Sequence, residues 1–338
     1  MKQSDNFAFY LSKFMQQYLP GRRNLSVNTI YSYRDTFVQL ITFCKDNEHI
    51  QPEKIKISTL TRNLIENFLD SVENERRCSA STRNQRLAAV KSFFHFIQVE
   101  EPEHMLQCQS ILAIKSKETE DPVIGFLTSE DVQLLLGCPD KSTKNGRRDI
   151  ALLSLLYDSA ARVQELCDIT MDDLRLESPP ILNLHGKGRK ERTVPLSPDC
   201  TRILKKYIAE NNLDRKGNMS HPLFYNSRGD KLTRSGVSYI LRKYMTKLHE
   251  EGEIKRNKEI TPHCLRHSKA MHLVDAGVNL IYIRDFLGHE SIETTQIYAR
   301  ANPESTRRSI EKVQAEFKGP ELQDWNKDPD VMQMLKSI

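Results

Sequence analysis

Several features that define large classes of protein are scarce in this sequence. Its 338 residues contain a single Trp, and aromatic residues make up only 7% of the chain. The seven cysteines are scattered and form no C-x-x-C pair, which argues against a disulfide framework or a structural zinc site. The longest apolar run, at residues 150–157, is far shorter than the ~20 residues of a membrane span. The polar N-terminus shows no secretory signal, so we expect a protein of the reducing cytoplasm without a membrane partner.

The remaining composition is that of a globular protein with enough apolar mass for more than one core. Hydrophobic residues make up 38% and charged residues 28% of the chain, and the length suggests two domains. Few aromatic residues and modest Gly and Pro contents favour helices over an all-β fold. The net charge of +5 is compatible with nucleic-acid binding if the basic residues share one face, but it does not establish such binding.

The first part of the chain, residues 1–112, has the apolar spacing of several helices. Ser26 can cap one of these helices, and another can begin at Ser79–Ser81. Between Arg76 and Val99 the sequence carries five Lys and Arg residues and no acid, which predicts a basic helix face with an apolar back. Such a face either binds phosphates or is simply solvated, and the pattern leaves both interpretations open.

Residues 113–122 are charged and lack apolar periodicity, which predicts an interdomain linker. The second domain, residues 123–319, begins with apolar helical stretches, of which Ile150–Ile169 is the strongest. Two short strands then flank the turn Gly186–Lys190, and Leu223–Tyr225 is a candidate third strand. The predicted fold is mainly α with a small antiparallel β-sheet, in which a helical domain precedes a second, mixed domain.

The polar residues of the second domain supply the groups needed to transfer a phosphodiester without a metal. Such a reaction needs a nucleophile, cations or donors on the non-bridging oxygens, and an acid that protonates the leaving 5′ oxygen. Arg suits the oxygens because its planar fork binds two at once and stays charged. Tyr suits the attack because its phosphate ester retains the bond energy needed to reseal the strand. The candidates lie in four segments and are Arg162, Lys187, His263, Arg266, His289 and Tyr298.

Each candidate taken alone has an ordinary structural interpretation. Arg162 could be an exposed helical residue, and Tyr298 could be a buried helical aromatic. His263 and His267 are four residues apart, which is also a zinc-ligand spacing, but no Glu follows His263 and no third ligand is obvious. The catalytic interpretation therefore depends on all the segments occurring together and in one order.

The segments that carry these residues resemble those of the tyrosine recombinases, also called the phage-integrase family. They are Ala161–Leu166, His185–Arg192, Thr261–His267, Leu287–His289 and Thr294–Tyr298. Their order and spacing match the family across the whole second domain. The first domain is similar, more loosely, to the family's helical DNA-clamping domain. The overall layout most resembles the Xer-like and mobile-element members.

The resemblance implies a role for each matching residue. Arg162 and Arg266 would clamp the scissile phosphate. Lys187, in the hairpin, would be the general acid for the 5′ oxygen. Tyr298 would be the nucleophile and would form a 3′-phosphotyrosine.

The remaining matching residues would support this chemistry. His263 would assist proton transfer on the nucleophile side, and His289 would donate to a phosphate oxygen and pack against the tyrosine. Glu165 would orient Arg162 or the neighbouring backbone rather than react, and His267 would support the site. One departure from the family is Ala160, where many members have Gly, and it puts the local turn in question.

The same resemblance implies partners and an assembly. The two domains would clamp double-stranded DNA at specific recombination sites, with no metal or other cofactor. The tail, residues 320–338, has an apolar stripe that would dock on a neighbouring copy, giving a dimer on one site and a tetramer in synapsis. Packing of the tail on its own domain is the alternative, and accessory recombinases or directionality factors are left open. The candidate DNA-contacting residues are Asn28, Tyr31, Arg83, Asn84, Arg86, Lys91, Arg234 and Arg242.

The implied function is site-specific recombination through a Holliday junction, for the integration, excision or transposition of a mobile element. Resolution of chromosome or plasmid dimers is an alternative within the same family. A type IB topoisomerase and a DNA-binding regulator without catalysis are rivals from other classes. The helical first domain and apolar tail argue against the topoisomerase, and the full catalytic set argues against the regulator.

Overall fold

The computed structural model describes residues 5–75, 77–119, 125–186, 190–214, 220–254 and 260–301, together with a few positions further on. Lys187 and most of the predicted tail lie outside these residues. The chain divides into two compact units, Met1–Pro122 and Val123–Ile338, and each is described by itself.

The first unit is helical. Its elements are α1 (Phe7–Lys13) with a π-helical continuation (Phe14–Arg22), α2 (Val27–Asp46), α3 (Arg62–Asn74), α4 (Ala80–Glu100) and α5 (Met105–Leu112). Helices α2, α3 and α4 begin where hydroxyl side chains accept a backbone N–H three residues on, from Ser26, Thr61 and Ser79 respectively. Their apolar faces enclose a cluster of aromatic rings around Phe14 and Phe93, whose centroids are 5.3 Å apart.

The second unit surrounds a small sheet with helices. The helices are α6 (Ser129–Gly137), α7 (Lys144–Ser159), α8 (Val163–Asp168), α9 (Pro198–Asn211), α10 (Arg234–Glu250), α11 (Pro262–Asp275), α12 (Leu280–Leu287) and α13 (Glu293–Ala301). The sheet has the order β1 (Leu174–Arg175), β2 (Ile181–His185) and β3 (Glu191–Pro195), with all neighbours antiparallel. Leu182 pairs with both Leu174 and Val194, which fixes the register. In the described residues, no helix is both long and apolar enough to cross a membrane.

The third strand is not the one that the sequence pattern favoured. Leu223–Tyr225 makes only isolated backbone pairings. The Leu223 N–H donates to the Ile169 carbonyl, and Tyr225 forms an isolated bridge with Lys231. Leu174–Arg175 takes the sheet position instead, because the short turn after it returns the chain directly onto β2. An apolar triplet between turns does not distinguish a sheet strand from a buried connection.

The apolar stretch Ile150–Ile169 is broken into two helices. Helix α7 ends at Ala160, which adopts a left-handed conformation with φ of 47°. Helix α8 then begins at Val163, so that Arg162 becomes its N-cap residue. The break turns Arg162 out of the buried α7 and places its side chain at the surface of the unit.

The last three helices form a second, smaller core. Ala160, Met271, Leu287 and Tyr298 are among its buried residues. Helix α12 ends at Gly288, whose φ of 64° is readily adopted only by glycine. The turn at Gly288 brings the loop before α13 back toward Arg162 and β3, and thereby assembles the site described next.

Candidate active site

Arg162 is held by the first turn of its own helix. Its backbone N–H donates to Oε2 of Glu165 at 2.8 Å, and its Nη1 donates to Oε1 of the same carboxylate at 2.8 Å. Its Nη2 donates to the Gly288 carbonyl at 3.0 Å. The side chain nevertheless remains 42% exposed, so the guanidinium has a fixed orientation while part of it faces solvent.

Glu165 is the anchor of two arginines rather than of one. Arg192 on β3 donates from Nη1 and Nη2 to the two oxygens of the buried Glu165 carboxylate, at 3.0 and 2.8 Å. The Nε of Arg192 donates to the Phe286 carbonyl at 3.0 Å. Burial favours the neutral acid, but the hydrogen bonds and charges of Arg192 and Arg162 outweigh it and lower the pKa of Glu165 to about 2. The carboxylate therefore stays ionised and ties α8, β3 and the end of α12 together.

Arg266 is a buried cation that forms no ion pair with a carboxylate among the described residues. It is 1% exposed, and its Nη1 and Nη2 donate to the carbonyls of Ala160 at 2.7 Å and Leu287 at 2.5 Å. Its Nε has no hydrogen-bond partner among the described residues. Burial, with the nearby charges of Arg162 and Arg192, lowers the pKa of Arg266 to about 10. Cations gathered in this way are costly unless an anion joins them, so the site is suited to a phosphate.

Tyr298 lies within a cluster of imidazoles. It is 1% exposed, and its hydroxyl is hydrogen-bonded to Nδ1 of His267 at 2.7 Å. The ring of His289 stacks on Tyr298 with a centroid distance of 6.4 Å and an interplanar angle of 14°. The ring of His263 meets that of His267 edge-on at 4.3 Å. The sequence predicted His263 at the nucleophile, whereas the described contact to the hydroxyl comes from His267.

The three imidazoles are held in their neutral form. Loss of water and the charges of Arg266 and Arg162 lower the pKa of His263. Burial, followed by neighbouring cationic groups, lowers the pKa of both His267 and His289 to about 4. Burial also raises the pKa of Tyr298. At neutral pH the histidines can therefore accept as well as donate protons. Nδ1 of His289 is already hydrogen-bonded to Oγ1 of Thr295 at 2.9 Å.

An open cleft of about 740 Å³ lies beside these residues. Its lining comprises Arg162, Arg192, Gly288 and His289, the hairpin residues Gly186 and Lys190, and the acidic residues Glu191, Asp285 and Glu290. Lys187, the predicted general acid, lies outside the described residues, but both residues that flank its turn line the cleft. The described part of the hairpin therefore adds Lys190, which pairs with Glu290 at 2.8 Å, to the opening that the arginines line.

The predicted DNA-contacting residues of the first unit divide into two groups. Asn28 and Tyr31, on α2, are exposed. Lys91, on α4, is partly buried. On α10 of the second unit, Arg234 and Arg242 are both exposed.

The predicted reading face on α4 is largely engaged within the first unit. Arg83 is 5% exposed and pairs with Glu73 at 3.7 Å. Asn84 exchanges two hydrogen bonds with the Lys117 backbone. Arg86 donates to the Ser32 carbonyl and the Thr36 hydroxyl. This differs from the expected exposed basic face, because α2, α3 and the segment after α5 cover that side of α4.

Two participants in the site were not identified from the sequence. Arg192 follows the hairpin and shares a strand face with the buried Val194, so period-two alternation could have placed it inward. Thr295, fully buried beside His289, offered no such signal. In the part of the chain that the structure describes, no group of three or more His, Cys, Asp or Glu residues is arranged to hold a metal ion.

Paired arginines and neutral histidines around a tyrosine, on a helical domain with a three-stranded hairpin sheet, define the catalytic domain of a tyrosine recombinase. Comparison with known proteins agrees. The model of the phage integrase family matches residues 125–305, and that of the phage integrase N-terminal SAM-like domain matches residues 13–101. The chain belongs to the phage integrase, or tyrosine recombinase, family, and it is a site-specific recombinase.

Individual relatives span most of the chain. A Sinorhizobium fredii protein named integrase/recombinase y4rC is 39% identical over 294 residues, which cover 87% of this chain and 86% of the relative. The tyrosine recombinase XerC of Roseiflexus castenholzii is 35% identical over 86% of this chain and 88% of its own length. Among solved structures, the Tn1549 transposon integrase in complex with transposon right end DNA has a TM-score of 0.68 at 18% identity, covering 89% of this chain and 98% of that one. At that identity the likeness shows the fold.

Proposed function

We propose that this chain cuts and rejoins DNA at specific sites through a covalent bond to Tyr298. The observation that carries the proposal is the set of side chains that surround Tyr298. Its ring stacks on His289 and its hydroxyl bonds to His267. Arg162 lines the neighbouring cleft, and the buried Arg266 adds positive charge behind it. A phosphodiester is the anion that this combination of cations, neutral imidazoles and a phenol can both bind and attack.

The reaction balances without an outside reagent. The Oη–P bond forms as the P–O5′ bond breaks, so the energy of the ester is conserved in the 3′-phosphotyrosine. The phenol proton passes to the imidazole cluster, and the leaving 5′ oxygen takes a proton from Lys187. Arg162 and Arg266 hold the non-bridging oxygens, His289 donates to one of them, and Glu165 fixes the orientation of Arg162. Attack by a 5′ hydroxyl reverses each step and reseals a strand.

The reaction is proposed to need neither a metal nor an organic cofactor. The support is that two arginines already supply the positive charge that a Mg²⁺ ion supplies in other phosphoryl transfers, and that a neutral histidine adds a hydrogen-bond donor. Cleavage should therefore proceed at an unchanged rate in excess EDTA.

The substrate is proposed to be double-stranded DNA that carries specific recombination sites. Among the structural relatives, XerH is bound to a difH substrate and a lambda integrase dimer is bound to a core site. By analogy, one pair of protomers in a tetramer would cut first and form a Holliday junction, and the other pair would then resolve it. Exposed Asn28, Tyr31, Arg234 and Arg242 are the proposed DNA contacts.

The biological task is proposed to be the integration, excision or transposition of a mobile element, as the Tn1549 integrase likeness suggests. A second candidate is dimer resolution, because several relatives carry the names XerC and XerD. Inverted repeats flanking the reading frame would favour the mobile element. A conserved single site at the chromosome terminus would favour dimer resolution, with a partner recombinase as an added requirement.

The covalent step is tested with a nicked suicide duplex, from which the cut strand end is lost so that resealing is blocked. The parent protein should trap a denaturant-stable protein–DNA adduct in the presence of EDTA, and Tyr298→Phe should trap none. Tyr207→Phe is the matched control, because Tyr207 is also buried but its hydroxyl bonds to the Leu223 carbonyl away from the cleft. A parent that forms no adduct would point to a DNA-binding regulator. Relaxation of plasmids that lack any specific site would point to a topoisomerase.

A further inference from the structure

The hydroxyl of Tyr298 has a defined partner that the sequence did not assign to it. Within the described residues, Nδ1 of His267 lies 2.7 Å from Oη, which is a normal hydrogen-bond distance. The two ring centroids are 5.5 Å apart. His267 follows Arg266 directly, so α11 presents a phosphate-binding cation and a contact to the nucleophile from adjacent residues.

His263 occupies a different position. It is one helical turn before His267, and its ring meets the ring of His267 edge-on at 4.3 Å. His263 is therefore a neighbour of the group that contacts the nucleophile. His289 is engaged with Thr295 through Nδ1 and stacks on the face of the tyrosine ring, so its ring lies alongside the phenol rather than at its oxygen.

We propose that His267 is the catalytic proton acceptor for Tyr298, with Nδ1 taking the phenol proton as Oη attacks the phosphorus. The inference rests on the proposed function and specifies one of its steps. As the Oη–P bond forms, the O–H bond of Tyr298 breaks and its proton moves to Nδ1. The imidazolium of His267 then holds that proton until resealing, when Oη leaves phosphorus and recovers it.

The electrostatics of the site keep His267 unprotonated before substrate binds. The groups that face His267 are the phenol of Tyr298 and the cationic or titratable groups His263 and Arg266, with His289 beyond the tyrosine ring. Burial, His263 and Arg266 lower the pKa of His267 to about 4, so at neutral pH its Nδ1 can accept a hydrogen bond from the phenol.

Binding of substrate should raise the pKa of His267. A phosphodiester adds negative charge beside Arg266 and Arg162, which weakens the repulsion that disfavours a protonated His267. His267 therefore becomes more basic when a scissile phosphate is in place. The proton transfer is coupled in this way to the presence of DNA, which protects the nucleophile from reacting in its absence.

The test uses His267→Asn in single-turnover cleavage of the nicked suicide duplex. The Asn side chain can place an acceptor oxygen close to the position of Nδ1, so it can hold the phenol but cannot take up its proton. Cleavage should slow by on the order of 10²–10⁴-fold, the usual contribution of a general base, while DNA affinity and the melting temperature change little. The rate of the variant should also rise with pH more steeply than that of the parent, because ionisation of the phenol must precede attack.

The chain provides a closely matched control. His272 lies on the same helix, is partly buried, and has its Nδ1 hydrogen-bonded at 2.8 Å to the hydroxyl of Tyr157. His272→Asn removes the same kind of His–Tyr contact away from the cleft, and it should cleave at close to the parental rate. If His267→Asn fails to fold, His267→Gln provides the same measurement.

The decisive measurement replaces Tyr298 with a fluorinated tyrosine whose phenol ionises more readily. In the His267→Asn background this change should restore much of the lost rate. A 5′-bridging sulphur, which removes the need for a general acid at the leaving group, should not. The proposal fails if His267→Asn cleaves as fast as the parent, if it cleaves faster because the contact only restrains a resting tyrosine, or if the fluorinated tyrosine restores nothing. A parent that forms no adduct would instead overturn the proposed function.

Discussion

At the scale of single residues, Arg192 contributes to the site through its contacts with Glu165. It donates to both oxygens of Glu165, and the same carboxylate receives two of the three hydrogen bonds that hold Arg162. Arg192 lines the cleft and orients Arg162, the proposed phosphate clamp, through Glu165, so it is a positioning residue. Without it, the buried carboxylate would draw Arg162 inward to satisfy its free lone pairs.

Arg192→Met should lower cleavage about 10- to 100-fold, as loss of a group that orients a ligand-binding side chain does, with stability reduced by about 2–4 kcal/mol. The substitution retains an apolar stem of similar length and removes only the guanidinium group. Because the effect passes through Arg162, the losses of Arg192→Met and Arg162→Ala should not multiply in the double variant. The measurement is single-turnover cleavage by all three variants, with urea unfolding of each.

The control is Arg148→Met, which breaks a comparable pair with the buried Asp149 far from the cleft. It should lose similar stability and retain cleavage at a temperature where both variants are folded. Multiplicative losses for Arg192 and Arg162 would show that Arg192 acts on its own.

At the scale of elements, the end of α7 depends on a residue that local propensity does not favour. Ala160 holds a left-handed conformation, and its carbonyl accepts the hydrogen bond of Arg266 at 2.7 Å. An L-residue in this region costs about 1–2 kcal/mol relative to glycine. The methyl group of Ala160, which is fully buried in the core that contains Tyr298, offsets about 0.8 kcal/mol of that cost.

Ala160→Gly should therefore leave the free energy of unfolding within about 1 kcal/mol of the parent and preserve cleavage, since the two contributions nearly cancel. Ala160→Val should destabilise the protein by more than about 2 kcal/mol, because a β-branched side chain is strained at a φ of 47°. Urea unfolding followed by circular dichroism gives both values. A valine variant as stable as the parent would mean that the turn relaxes without disturbing the carbonyl held by Arg266.

The same turn illustrates what the sequence could and could not predict. Capping residues and apolar periodicity predict the hairpin and the individual helices. The residue types and the order of the segments predict the catalytic residues. The break at Ala160 does not, because Ala is the strongest helix former and only the distant Arg266 requires its carbonyl. The contact of His267 with Tyr298 and the burial of Arg83 likewise depend on how helices pack, which spacing along one helix does not determine.

At the scale of the whole molecule, we expect the tail to join neighbouring catalytic units. The apolar stripe of the tail comprises Val331, Leu335 and Ile338, which lie outside the described residues, and the neighbouring Met334 is exposed. A stripe at helical spacing in so short a segment needs a surface to cover it, because short helices are not stable in water by themselves. We expect that surface to belong to a neighbouring protomer, as in the predicted tetramer.

Deletion of Asp330–Ile338 should then weaken the pairing of two sites much more than the binding of one. Native gel shifts with one-site and two-site DNA measure the two affinities separately, and covalent trapping on isolated half-sites reports the activity of Tyr298. Leu335→Asn on the stripe should reproduce the loss of pairing, and Lys336→Asn beside it should not. Equal weakening of both affinities would show that the tail packs on its own unit. Cleavage of half-sites that is at least as fast without the tail would show that docking does not control when Tyr298 reaches the DNA.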